Sequence, residues 1–330
     1  MHNKFLIAID SGKHSTKAIM KEEGGLLRVK FRTLVEEVED FGADISPNTD
    51  LVEFQGKSCL KSFLVGEMLD ESKMDYRLTK QNQTHQICIY LAIAKLLQKS
   101  KRSIAFANIC LATNIPLSLY KNERQKQAYQ DFIQNGGEPI CMKVNGKAFV
   151  FRIHQIFVLP EGIGPVYSNI NEFRHKRSLI IDVGSLNVNY QEFSNLIPSF
   201  QQMITADLGV NLLRSKISDA LTSKYGTTVS DLDVECLLRG DKYLYLNGEK
   251  QEDSKEIVEK LISNHVKEIF NHARSRKISF NNTEVHFVGG GSLLLRDFIL
   301  KEYPTAVIHT DAQFSNTLSF LQILEAKQSG

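Results

Sequence analysis

The sequence predicts an α/β fold made of two similar halves, and three observations carry that prediction. Residues 5–17 run from apolar residues into Asp10, turn through Gly12 and leave through Thr16–Met20 as a second strand. Residues 178–191 repeat the form: Ser178-Leu-Ile-Ile leads into Asp182, Gly184 follows two later, and small polar residues precede another strand-like run. A third buried strand, Glu284–Val288, ends in Gly289-Gly290-Gly291-Ser292 and opens a helix. One Asp-x-Gly hairpin alone is unremarkable, since any strand-turn-strand with a glycine looks like it. Two copies imply two similar halves facing each other.

Composition sets the bounds. The chain has 330 residues, which favours two domains, and 42% of them are hydrophobic, enough for real cores. A formal net charge of +2 gives no electrostatic case for direct nucleic-acid or membrane binding. The five cysteines (59, 88, 110, 141 and 236) are scattered, with no CxxC. Neither a zinc ribbon nor a disulfide scaffold is indicated, and reduced thiols in a cytoplasm fit best. The apolar run near the N-terminus is too short for a signal-peptide core, and no run approaches the ~20 residues of a membrane span. A soluble, cytoplasmic protein is expected.

The elements follow in order. Leu26–Val38 reads as strand, and residues 51–60 as a short hairpin turning at Gly56. Residues 33–80 together read as a small outer insertion. Thr84 is the expected cap of a helix to about Gln98, with Ile87, Tyr90, Leu91, Ala94 and Leu97 inward. Ile104–Ala112 is a strand ending in Thr113-Asn114-Ile-Pro116, and Asn122 caps a helix stopped by Gly136-Gly137. Residues 140–158 form two strands turning at Asn145-Gly146. Arg174–Arg177 reads as a basic loop.

After the second Asp-Gly hairpin, Gly209 opens a helix with Val210, Leu213, Ile217 and Leu221 on one face. Residues 226–253 read as irregular, within a second outer insertion of about 226–280. Asp253 with Glu256 suggests a capping-box start for a long amphipathic helix. His265 and His272 on that helix read as surface histidines, since a metal pair needs closer spacing and a third ligand. Val307–His309 is a last strand and Asn316–Ala326 the closing helix.

The three glycine-bearing strand ends point to a nucleotide. Each lies at the carboxyl end of a buried strand, where open α/β sheets bind ligands. Backbone N–H groups of two hairpins can clamp one anion, and the triple glycine lets backbone approach a flat group closely. The expected phosphate contacts are Ser11, Gly12, Lys13, His14 and Lys17 with Gly184, Ser185, Leu186 and Asn187. Gly209 and Gly289–Ser292 would take the nucleoside. Asp10 and Asp182 would face Mg²⁺ through water, which the ion sheds reluctantly. Glu161, after Pro160 at a strand end, can orient water for attack on a terminal phosphate or, equally, stabilise a helix N-terminus.

These motifs carry a resemblance. Asp10-Ser-Gly12-Lys-His-Ser-Thr-Lys17 resembles the first phosphate loop of the actin-like ATPases. Asp182-Val-Gly-Ser-Leu-Asn187 resembles the second loop and Val288-Gly-Gly-Gly-Ser292 the adenosine motif. Within that superfamily, Leu159-Pro160-Glu161 is similar to the catalytic-Glu segment of ParM-type plasmid segregation actins. Leu208-Gly-Val-Asn-Leu-Leu-Arg214 and Asp311-Ala-Gln-Phe-Ser-Asn316 resemble two further segments of theirs. Ser185-Leu186-Asn187 departs from the usual Gly-Thr-Thr, and Asn189 stands where an Asp is common.

The resemblance implies an actin/ribonuclease H-like duplicated fold, with two domains flanking a nucleotide cleft and each carrying a smaller outer subdomain. Domain I would be 1–173 plus 314–330, and domain II 174–313. It further implies Glu161 as catalyst, hydrolysis of ATP or GTP with Mg²⁺, and assembly into filaments. A ParR-type DNA-binding adaptor on centromere-like plasmid DNA would be the partner, so that DNA contact is indirect and no membrane is involved. Two alternatives stay open: a sugar or acetate kinase-like phosphotransferase on the same fold, and an MreB-like cytoskeletal actin.

Overall fold

The computed structural model describes residues 4–39, 48–56, 59–67, 69, 77 and 79–329. In chain order the elements begin with β1 (Lys4–Ser11), β2 (Ser15–Glu22), β3 (Gly25–Arg32), β4 (Val35–Val38), β5 (Thr49–Gln55) and β6 (Leu60–Gly66). Next come α1 (Gln83–Lys99), β7 (Ala107–Ile115), α2 (Leu117–Tyr120), α3 (Glu123–Ile133), β8 (Ile140–Val144) and β9 (Lys147–Pro160). They continue with α4 (Ile170–Phe173), β10 (Arg177–Val183), β11 (Val188–Ser194), β12 (Ile197–Pro198), β13 (Ile204–Ala206) and α5 (Val210–Tyr225). Then follow α6 (Asp231–Arg239), β14 (Leu244–Leu246), β15 (Glu249–Gln251) and α7 (Ser254–Ser275). The last are β16 (Glu284–Val288), α8 (Gly290–Leu294), α9 (Arg296–Glu302), β17 (Val307–Ile308) and α10 (Ser315–Ser329).

The chain divides into two units, Met1–Asn169 with Phe314–Gly330, and Ile170–Gln313. The first holds a nine-stranded sheet in the order β3-β2-β1-β7-β9-β8-β5-β6-β4. β1, β7 and β9 run parallel at its centre, and β1 and β7 are buried over most of their length. That explains their near-continuous apolar sequences, since both faces of a parallel sheet are covered. β4, β5 and β6 lie in the span read as an outer insertion, and they extend this same sheet where β5 pairs β8. The turn expected at Gly56 adjoins residues 57 and 58, which lie outside the described residues.

α1 is buried on nearly every side, which is why its sequence is apolar rather than striped. Its Tyr90 hydroxyl donates to the Ile133 carbonyl at 2.9 Å, tying α1 to the end of α3. Its cap is Asn82, not Thr84. Asn82 is extended (φ −146°, ψ 164°), and its side chain accepts from the His85 N–H at 2.9 Å. Thr84 already lies inside the first turn, where its backbone is helical and cannot cap.

The second unit repeats the plan in a smaller sheet, β12-β11-β10-β16-β17, with β13 added on β11. β10 and β16 are parallel, and β10–β11 is the antiparallel hairpin of the second Asp-Gly motif. α5 and α7 share its core through Leu213, Ile217, Ile262 and Ile269. Residues 226–253 are more ordered than their polarity suggests. α6 starts on a capping box, the Ser230 side chain accepting from the Asp233 N–H while the Asp233 carboxylate accepts from the Ser230 N–H.

α7 lacks the expected box. Asp253 has near-helical backbone (φ −82°, ψ −6°), and its carboxylate instead accepts from Lys224 and from the Tyr225 hydroxyl. His265 is buried rather than on the surface. Seven residues make almost two turns, so His265 follows Val258 and Ile262 onto the inner face. His272 is half-buried and stacks on Tyr190 at 5.7 Å. Among the described residues no helix is long and apolar enough to cross a membrane.

The two caps can be told apart by mutation. Asn82→Ala is expected to cost the first unit about 1 kcal/mol, with Thr84→Ala near neutral. Denaturant unfolding of both variants measures the difference, and the reverse ranking would contradict the assignment.

Candidate functional site

In the first unit the site is built on the β1–β2 hairpin. Asp10 is the second-to-last residue of β1, and its register partner in β2 is Lys17. Asp10 is only 6% exposed, so its carboxylate needs partners. Asn114, at the end of β7, donates from Nδ2 to Asp10 Oδ1 at 2.6 Å and accepts the Ser11 N–H on Oδ1 at 3.1 Å. Asn316, at the start of α10, reaches Asp10 Oδ2 from Nδ2 at 3.5 Å and accepts the Gly164 N–H at 2.9 Å. Lys17 Nζ lies 3.7 Å from Asp10 Oδ2. Two amides and one ammonium therefore hold the charge at the strand end.

The turn itself requires glycine. A Cβ on Gly12 would lie 2.8 Å from the Ser15 carbonyl oxygen. Lys13 donates to the Arg77 carbonyl, and the His14 carbonyl accepts from the Thr33 N–H at 3.0 Å. Behind the turn, Ser11 Oγ lies 2.7 Å from His85 Nδ1 in the first turn of α1. Burial drives the His85 pKa well below 6.5, and the charges of Lys80, Lys13 and Arg77 push the same way. His85 is neutral beside Ser11.

Glu161 follows the last residue of β9, and its N–H donates to the Ile115 carbonyl at 3.2 Å, pinning it to the end of β7. Its carboxylate is ion-paired with Lys80, Nζ to Oε1 2.5 Å. The Lys80 side chain is fully buried and that of Glu161 is 14% exposed. The Lys80 carbonyl accepts the Asn82 N–H at 2.9 Å, so the lysine is anchored to the cap of α1. The cap, the ion pair and the His85–Ser11 contact are thus one connected cluster.

The second unit carries the same hairpin with different side chains. Asp182, 9% exposed, is opposite Asn189, as Asp10 is opposite Lys17. The Gly184 N–H donates to the Asn187 carbonyl at 2.9 Å, and a Cβ there would meet that same oxygen at 3.0 Å. The carbonyls of Gly184, Ser185 and Leu186 accept from the N–H groups of Val210, Asn211 and Gly209 at 2.8–3.2 Å. The hairpin therefore sits on the N-terminus of α5. A side chain on Gly209 would strike the Ser185 oxygen at 2.2 Å.

The triple glycine packs on the same hairpin. Gly289 has φ +84°, and a Cβ there would lie 2.3 Å from Asp182 Oδ1. Gly291 would meet Val183 and Val210 side chains at 2.5 and 2.7 Å. Ser292 Oγ donates to the Gly289 carbonyl at 2.8 Å, and Gly290 approaches only the Gln313 amide, at 3.8 Å.

The first unit thus brings together Asp10, Ser11, Gly12 and Lys17, with Glu161 joined through the α1 cap. The second unit brings together Asp182, Gly184–Asn187, Gly209 and Gly289–Ser292. Sequence reasoning missed Asn114, His85, Lys80 and the amide of Asn316 as partners of the site. Asn114 and Asn316 were visible as polar residues at element ends. Lys80 carried no signal, because its partner lies 81 residues away and it borders a segment without a clear pattern.

The same fold is found in known proteins. Residues 8–164 match the family described as actin-like proteins, N-terminal domain. An archaeal actin homolog superposes with a TM-score of 0.80 at 19% identity, covering 98% of this chain and 99% of its own. A ParM from a 15-stranded filament of Clostridium botulinum gives 0.77 at 22% identity, covering 98% and 99%. The protein of an Alp12 filament gives 0.72 at 25% identity, covering 99% of each. A search of curated protein sequences gives no match. The fold is actin-like, and the resemblance read from the motifs is borne out.

Two outcomes follow from the buried charges. Lys80→Met removes the ammonium paired with Glu161 and Glu161→Gln removes the carboxylate paired with a buried ammonium, so each is expected to destabilise the first unit by about 3 kcal/mol. The double variant Lys80→Met/Glu161→Gln should recover most of that loss; simple addition of the two losses in a thermal melt would show the pair to be uncoupled. His85 sets the second outcome. Its folded pKa lies below the unfolded value of about 6.5, so the unfolded chain takes up the extra proton. That contribution to stability is complete above pH ~6.5 and falls as pH drops below it. His85→Gln should flatten this acid limb in denaturant melts; an unchanged slope would count against it.

Proposed function

We propose that the chain is a filament-forming actin-like NTPase that segregates plasmid DNA, with nucleotide hydrolysis driving filament turnover. The observation that carries this is the duplicated hairpin, with a buried aspartate and an obligatory turn glycine in each unit, joined in the first unit to a pinned glutamate. The family match over 8–164 supports it, as do the filament-forming ParM and Alp12 proteins of the same fold. An archaeal homolog of this fold was crystallised with ADP, with a TM-score of 0.74 at 17% identity, which supports a nucleotide ligand.

The residues fit a magnesium nucleotide. Backbone N–H groups at Gly12–His14 and Ser185–Asn187, on tight turns, would take phosphate oxygens, and Lys17 would add a cation. Asp10 and Asp182 are buried carboxylates able to accept from metal-bound water. Mg²⁺, when bound, neutralises charge on the phosphates. Gly209 and Gly289–Ser292 would take the nucleoside face. Glu161 would orient the attacking water, with Lys80 fixing the direction of its carboxylate.

Self-assembly uses outer surfaces, and the exposed Leu232 on α6, 76% accessible, offers one apolar contact there. A ParR-type adaptor would join the filament to DNA, in keeping with the net charge of +2. The setting is cytoplasmic.

With Mg²⁺ and ATP or GTP, light scattering is expected to rise above a critical concentration and fall as phosphate is released. Absence of nucleotide-dependent assembly across salts and both nucleotides would sink the filament reading. In the stability-matched Lys80→Met/Glu161→Gln variant, phosphate release should slow on the order of a hundredfold while assembly persists. Unchanged release would remove Glu161 as the catalyst.

A further inference from the structure

We infer that Glu172, His286 and His309 form a Zn²⁺ site in the second unit, tying α4 to the edge of its sheet. The site is separate from the phosphate hairpins and does not depend on the nucleotide reading.

Two neighbouring parallel strands supply the histidines. His286 lies in β16 opposite Val307 of β17, and His309 follows β17, its N–H donating to the Phe287 carbonyl at 3.3 Å. The alternation of β16 puts Val285 and Phe287 into the core with α7 and α9 and turns His286 to the other face. There His286 Nδ1 lies 3.0 Å from His309 Nε2. A carboxylate oxygen of Glu172, on α4, lies within 4.8 Å of both ligand nitrogens. Phe173, next in α4, covers the pair, its ring 4.7 Å from that of His286 and 6.4 Å from that of His309.

The spacing suits tetrahedral zinc. Two imidazole nitrogens on one Zn²⁺ lie roughly 3.3 Å apart, given Zn–N bonds of about 2.0 Å. Opening the pair by a few tenths of an ångström and swinging the exposed Glu172 side chain inward completes three ligands, with water as the fourth. Two imidazoles and a carboxylate favour zinc over the hard, all-oxygen ions.

A hydrogen bond between the two rings accounts for one nitrogen of each and for nothing else in the cluster. On its far side, His286 turns a buried Nε2 to Glu284 Oε2 at 3.4 Å. A ligating histidine commonly turns its second nitrogen to a carboxylate in this way, which fixes the tautomer that bares the first. Binding then needs only a tautomer shift: His286 keeps its proton on Nε2, and the single proton of His309 moves from Nε2 to Nδ1, which bares the two facing nitrogens for zinc.

The test is titration of Zn²⁺ into the full chain, stripped of metal and kept reduced, against a chromogenic chelator. One Zn²⁺ per chain is expected. Glu172→Gln and His309→Ala should each weaken binding roughly tenfold or more, and Glu284→Gln by roughly tenfold. Glu172 is at the surface, and an unchanged melting temperature of its variant in the absence of metal checks that the fold is kept. Substituted Co²⁺ should show visible ligand-field bands without thiolate charge transfer, which separates this site from the exposed Cys59, Cys141 and Cys236. Failure of the wild-type chain to bind Zn²⁺, unaltered binding in both Glu172→Gln and His309→Ala, or a thiolate spectrum would overturn the assignment.

Discussion

A carboxylate is costly to bury, and the first unit is arranged around one. Asp10 is the second-to-last residue of a strand whose other residues are almost all inside the core, so it cannot simply turn to water. The amides of Asn114 and Asn316 reach it from two different elements, and Lys17 approaches from its own hairpin. Each amide uses its other end on a backbone N–H, of Ser11 or of Gly164. One charge thereby fixes the ends of β1 and β7, the start of α10 and the loop that follows β9. A ligand that competes for Asp10 would act on all of them.

The second unit reaches the same geometry by packing. Asp182 and the hairpin after it are hemmed in by glycines whose hydrogen atoms face backbone or carboxylate oxygen at distances no Cβ tolerates. Here glycine is demanded by the approach of two chain segments, whatever the ligand. The two units also differ at the residue paired with the aspartate, lysine in one and asparagine in the other. The duplicated backbone thus offers unlike electrostatics, cationic at 17 and neutral at 189.

The hairpins, the long helices and the turn at Asn145-Gly146 were legible because each rests on a local rule: an apolar run, a helical stripe, a turn dipeptide. What was not legible depends on partners distant in sequence. Thr84 and Asn82 are equally good cap types, and only the backbone angle at Asn82 chooses between them. Polarity hid α6, although Ser230 and Asp233 stand at the spacing of a capping box. The buried face of α7 at His265 was within reach of the helical period, but residue type suggested the surface. Lys80 illustrates the other limit: a lysine is read as solvated until a carboxylate is found beside it.

The order of elements along the chain has a consequence for synthesis. The second unit is continuous from Ile170 to Gln313, whereas the first is completed only by α10, which packs on β1, β2 and β7. On the ribosome, domains fold as units as they emerge. The sheet begun by β1 must therefore wait, its face against α10 uncovered and the carboxylate of Asp10 short of Asn316, while the second unit is translated and folds. Only α10 closes it. The first unit thus depends for its completion on a helix encoded beyond the whole of the second, so the order of folding is set by the order of the chain.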